Sequence, residues 1–119
     1  MKRNRPEQDL QKTVIEHLRR RGWPDAIFFH YPAGGYRKPI EAKILAGLGV
    51  VPGLPDIWVI RHGRVRCVEL KSERGRLTEI QADMQIRLTR AGVDVAVAYT
   101  LDEALKYLTS WGLLRGEVQ

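Results

Sequence analysis

Two short runs of strand character, Asp56-Ile-Trp-Val-Ile-Arg61 and Arg64-Val-Arg-Cys-Val-Glu-Leu-Lys71, are separated by only His62-Gly63. A two-residue link ending in glycine, between β-branched and aromatic runs, is a hairpin signal, because the tight turn needs positive φ angles that glycine supplies. Such a hairpin fixes its own register. Pairing Arg61 with Arg64 across the turn sets Asp56 opposite Glu69. Side chains alternate along a strand, so Glu69 and Lys71 stand on one face.

The remaining elements follow from periodicity and punctuation. A helix is expected from about Glu7 to Arg21, preceded by Pro6 and stopped by Gly22, with Arg19-Arg20-Arg21 suited to the negative end of its dipole. Ala26-Ile-Phe-Phe-His-Tyr31 reads as a strand and Pro32-Ala-Gly-Gly35 as a loop. A second helix is expected from Pro39 to Leu48, and Pro52-Gly-Leu-Pro55 is a rigid turn. Thr78-Glu-Ile-Gln81 has the form of a capping box and opens a third helix to Arg90. Val93 to Tyr99 is a strand, and Thr100-Leu-Asp-Glu103 opens a last helix ending at Ser110.

The order is α-β-α-β-β-α-β-α, an α/β chain with a small mixed sheet flanked by helices. A helix-length connection separates the strand of Glu69 from that of Tyr99, which predicts parallel neighbours. The 119 residues contain no repeat and no low-complexity linker, so one domain is expected over 1–119, with a flexible basic stretch at 1–6.

Two carboxylates directly opposite one another repel, and Asp56 faces Glu69 in the expected register. A divalent cation together with Lys71 would neutralise them, and an all-oxygen carboxylate site suits Mg²⁺ or Mn²⁺. Glu7 falls on the same helical face as Leu10, Val14 and Leu18, where a carboxylate needs a partner, which makes it a third candidate ligand. Gln11 borders that face, whereas Glu16 lies opposite. Lysine plus arginine number 20 against 14 acids, a net charge of +6 and a pI near 9.8. That balance points to a polyanionic partner, nucleic acid before membrane.

Gly35-Tyr-Arg37, Glu41-Ala42, Gly49, Pro52-Gly-Leu-Pro-Asp56, Glu69-Leu-Lys-Ser72, Gly75-Arg-Leu-Thr78 and Gln81 occur in that order. The set resembles the virus-type replication-repair nuclease (VRR-NUC) domain, a branch of the PD-(D/E)xK nucleases with a restriction-endonuclease-like core. The resemblance spans roughly Glu7 to Tyr99, and the stand-alone form resembles small phage and bacterial versions. It implies metal-dependent phosphodiester hydrolysis in DNA. Asp56 and Glu69 would be metal ligands, with the Leu70 carbonyl as a further oxygen. Lys71 would orient the attacking water and stabilise developing charge. Gln81 matches the helix glutamine beside the site, and Glu7 the acidic position of the first helix. Small members of the family are associated with homodimers and with cleavage of four-way (Holliday) junctions, so branched DNA and a homodimer are expected here. A non-catalytic DNA-binding module, and a nuclease of flaps or linear nucleic acid, are the alternatives.

Arg37 and Lys38 beside Gly34-Gly35, and Arg74 and Arg76 between Lys71 and the third helix, are expected to contact DNA. Arg19, Arg20 and Arg21 read as a helix-capping cluster. His30 is expected to be structural, His62 part of the turn, and Cys67 a small core residue. Trp58, Phe28 and Phe29 are expected in the core, and Tyr31 and Tyr36 either in the core or stacked on bases. Ile86 and the tail Trp111-Gly-Leu-Leu114 suggest a self-association surface or, alternatively, a tail tucked against the sheet. No apolar signal core follows the basic start and no run reaches the ~20 residues of a membrane span. With a single cysteine, a reducing cytoplasm is expected, bacterial or phage-infected from the resemblance. No small-molecule cofactor is expected.

Overall fold

A computed structural model of the chain describes residues 5–32 and 38–116. Its elements are α1 (Arg5–Arg21), β1 (Ile27–His30), α2 (Pro39–Gly47), β2 (Ile57–Arg61), β3 (Arg64–Leu70), α3 (Glu79–Arg90), β4 (Asp94–Ala98) and α4 (Leu101–Ser110). These are the expected elements in the expected order, with strand ends shorter by a residue or so and with α1 starting two residues early, so that Arg5 and Pro6 of the stretch expected to be flexible are helical. The sheet runs β1-β2-β3-β4. β1 and β2 are antiparallel, as are β2 and β3, while β3 and β4 are parallel, with Leu70 opposite Ala98.

The hairpin register is the one the two-residue link dictates: Arg61 pairs with Arg64 and Ile57 with Val68. His62 and Gly63 both have positive φ, 52° and 73°, the geometry of a type I′ turn that matches strand twist. His62 tolerates this conformation with its Nε2 3.0 Å from Asp25 Oδ2.

Alternation along the strands gives the sheet two different faces. Ile57, Val59, Val68, Leu70 and Ala98 pack with Val14 and Leu18 of α1 and Ala104 and Leu108 of α4 in one buried cluster. Each fully buried leucine or isoleucine there contributes about 1.5–3 kcal/mol. The residues between them, including Cys67 and Glu69, point to the face covered by α3, whose Met84 is buried. Cys67 is buried as expected.

Two expectations are corrected. Phe29 is 41% exposed. It alternates with Phe28 onto the α3 face near the open edge of the sheet, where it stacks on Trp58 at 6.2 Å. The tail is no free surface either. Leu113 and Leu114 are buried, Gly22 and Leu114 form a bridge, and Arg115 N donates to Arg21 O at 2.8 Å. The apolar tail is satisfied within its own chain, the second of the two outcomes foreseen for it.

Candidate active site

Pro55 and Asp56 end the turn before β2, and both are buried. The turn is held in three ways. Trp58 Nε1 donates to the Pro55 carbonyl at 3.0 Å. Gly53 has φ 84°, and a Cβ there would sit 2.9 Å from the Ile80 carbonyl oxygen. This packs the turn against the first residues of α3. The Asp56 carbonyl accepts from Tyr31 N at 2.8 Å and lies 2.9 Å from His30 Nδ1. A carbonyl can only accept, so the imidazole carries its hydrogen on Nδ1.

One residue beyond the last β2–β3 ladder pair, the Asp56 side chain continues the pairing. Its Oδ2 accepts the Leu70 N–H at 2.9 Å. Glu69, across the hairpin, is 3% exposed, and Asp56 and Lys71 are each 9% exposed. Lys71 Nζ lies 3.7 Å from Glu69 Oε2. The Lys71 N–H donates to the Ala98 carbonyl at 3.0 Å, which extends the parallel β3–β4 pairing into the site.

Gln81 reaches the same carboxylate from α3. Its Oε1 accepts from Thr78 N at 3.0 Å, and Thr78 Oγ1 accepts from Gln81 N at 3.1 Å, the full capping box. Its Nε2 points to Glu69 Oε2 at 3.4 Å. The cap that starts the helix therefore also orients the acid.

The structure thus brings Asp56, Glu69, Leu70, Lys71 and Gln81 together. Glu7 is half-buried in the first turn of α1. Its neighbours Pro6 and Leu10 line an open cleft of ≈ 530 Å³ with Ser72, Arg74, Tyr99 and Thr100, so this turn faces the loop just after Lys71. Among the described residues, no group of three or more His, Cys, Asp or Glu side chains is placed to hold one metal ion, so Glu7 does not join Asp56 and Glu69 in such a group. Arg74 and Arg76 are exposed on that loop, and Lys38 is exposed at the N-cap of α2. Arg37 and Tyr36 lie outside the described residues.

His30 is structural, but it contacts the backbone of the key aspartate. Its sequence signal, one histidine ending an aromatic run, did not reveal that. Cys67 shares a strand face with Glu69 without sharing in its chemistry: burial pushes the thiol up to about 12.

The family model of the VRR-NUC domain matches residues 5–101. The chain belongs to the VRR-NUC family. Two solved structures have the same fold. One, titled "VRR_NUC domain protein", is 21% identical, with a TM-score of 0.75 over 96% of this chain and 94% of that one. The other, titled "VRR_NUC domain", is 19% identical, with a TM-score of 0.62 over 89% of this chain and 97% of that one. No curated protein matches the chain. Membership implies a nuclease-type domain with DNA as its substrate class.

Proposed function

We propose that this VRR-NUC protein is a divalent-metal-dependent endodeoxyribonuclease that cuts branched DNA, four-way junctions above all, as a homodimer. The observation that carries the catalytic reading is the pair of facing, buried carboxylates, Asp56 and Glu69, with the Lys71 ammonium beside them. Burying two acids side by side is unfavourable unless the site uses their charge.

The donors fit Mg²⁺ or Mn²⁺. Both carboxylates are hard oxygen ligands, and Mg²⁺ is commonly held by only one or two carboxylates, the other positions going to water and substrate phosphate. Asp56 and Glu69 would hold the ion, with the Leu70 carbonyl as a candidate for a further oxygen. When bound, the ion would supply Lewis-acid polarisation of the phosphoryl group and a more acidic water. The chain's own residues do the rest. Gln81 and Lys71 fix the Glu69 carboxylate. Lys71 orients the attacking water and offsets charge on the phosphate, while Arg74 and Arg76, on the loop just after it, are strand contacts, a role that Arg37 and Lys38 take from the sequence alone.

The homodimer is supported by α2. This helix buries none of its residues, and Ile40 and Leu48 are 68% and 76% exposed, with Ile44 between them on the same stripe. An apolar helix surface of this kind marks an association site. Two copies would carry two sites to two strands, which symmetric junction cutting requires.

The test is a cleavage assay on labelled four-way junction, 5′ flap, linear duplex and single strand, with Mg²⁺, Mn²⁺ or EDTA. Paired metal-dependent nicks in the junction, lost in Lys71→Ala with binding retained, are expected. Cutting of flaps or linear DNA alone would keep the chemistry and discard the junction. Binding without cleavage under either metal would reduce the protein to a DNA-binding module. Ile44→Lys should convert a dimer to a monomer in light scattering.

A further inference from the structure

The charge of the molecule is divided between the two ends of the sheet. α1, α3 and α4 all start beside the site and finish at the far end, where the hairpin turn also lies. Arg61 stacks over Trp23 at 4.6 Å, and Arg115 over the same ring at 5.9 Å. Arg21 Nε donates to the Arg115 carbonyl at 3.0 Å. Arg64 and Arg66 both pair with Asp94 at the start of β4, directly after the last turn of α3, which carries Arg87 and Arg90. Arg66 also donates to the Trp111 carbonyl at the end of α4. With Arg19 and Arg20 in the last turn of α1, one continuous rim holds nine arginines. Asp25 and Asp94 are the acids paired with them, so the rim carries more positive charge than the chain's net +6 and the rest of the chain is slightly acidic.

The end that bears the site is different. Besides Asp56 and Glu69 it carries Glu7, Asp9, Glu73, Glu79, Asp102 and Glu103, against Arg5, Lys71, Arg74 and Arg76. Acids outnumber cations there, so Lys71, Arg74 and Arg76 serve the strand at the site while the stronger hold on a polyanion falls to the far rim.

We infer that the arginine rim holds the phosphate backbone of a DNA duplex at a distance from the reacting phosphate. This rests on the nucleic-acid reading above but not on catalysis. Arginine matches the role, since its planar fork binds phosphate in two-point fashion. Arg61, Arg64 and Arg66 use one or two of their five donors on Asp25 or Asp94 and are thereby ordered in advance, which lowers the entropy cost of binding. Arg64 and Glu69 are five residues apart along β3, roughly 17 Å at strand rise. That is about five base-pair steps of 3.4 Å, so one duplex arm spans rim and site within half a helical turn.

The test uses the full chain and a labelled linear duplex in EDTA, with anisotropy read across a salt series. Arg19, Arg87 and Arg90 are exposed helix-end residues outside the core, so the variant is Arg19→Gln/Arg87→Gln/Arg90→Gln. The slope of log affinity on log salt should fall by about 2–3, at about 0.9 for each phosphate no longer neutralised, and low-salt affinity should fall at least about tenfold. The Arg→Lys version of the same triple should restore the slope. Each single Arg→Gln should lower it by about 1, which covers the case of a poorly folded triple. Wild-type slope and affinity in the Gln variants overturn the inference, whether or not the enzyme cuts. A changed slope in a protein that cuts nothing supports the rim and removes only the nuclease. Absence of duplex binding by the wild type overturns the rim.

Discussion

The Asp56 carboxylate accepts the Leu70 N–H at 2.9 Å, so one side chain both closes the hairpin and presents acid to the site. The two roles can be separated. In Asp56→Ala the buried Leu70 N–H loses its partner, at a cost of about 1–3 kcal/mol. Asp56→Asn keeps an acceptor oxygen and should be the more stable of the two. Both should lose metal-dependent cleavage. Urea unfolding of the pair, set beside cleavage rates, checks this; equal stabilities would show that the hydrogen bond carries no net energy.

Gln81 ties the N-cap of α3 to Glu69 through its two ends. Gln81→Met keeps the bulk and removes both ties. Activity should fall about 10–100-fold, the usual effect of losing a group that orients a ligand. Stability should fall by only about 0.5–1.5 kcal/mol. Isothermal titration with Mn²⁺ should show weaker binding, and unchanged affinity would limit Gln81 to capping.

Gly53 has φ 84° and meets the backbone of Ile80. Gly53→Ala adds a left-handed penalty of about 1–2 kcal/mol and a clash that no side-chain rotation relieves. The turn must shift, and Asp56 with it. A fall in melting temperature with a larger proportional loss of cleavage is expected; loss of stability alone would mean that the turn does not aim the aspartate.

The hydrogen bond from Arg61, opposed by desolvation and aided by the His62 contact and the charges of both groups, holds the exposed Asp25 carboxyl below its ordinary value of 3.8. A lowered folded-state pKa favours the ionised, folded form. The contribution is present above 3.8 and is lost as pH falls through the lower folded value. Asp25→Asn should therefore melt below wild type at neutral pH, and the gap should close in acid. A gap independent of pH would assign it to something other than the charge.

Most of the fold was legible because its signals are local. The His62-Gly63 link sets register without reference to anything else, and the capping sequences at Thr78 and Thr100 start helices where their spacing says. Asp56 opposite Glu69 followed from that register. Phe29 was misplaced because two neighbouring aromatics cannot both face one core, and the sequence does not say which face α3 leaves open. The tail was ambiguous because Leu113 and Leu114 are buried only through contacts with Gly22 and Arg21, far away in the chain. His30 was legible as structural but not as a support for Asp56, since that contact depends on how β1 docks on β2. Glu7 lay on the face expected of it, yet helical phase alone cannot tell how near the first turn of α1 comes to the hairpin's end.

The short His62-Gly63 link also has a consequence in time. Hairpins close in about 1–10 μs, well before parallel strands joined by a helix can meet. Asp56 and Glu69 are therefore brought face to face before α1 and α3 arrive to surround them. The repulsion between these two acids then acts at the first step of folding, as a brake on reaching the native state.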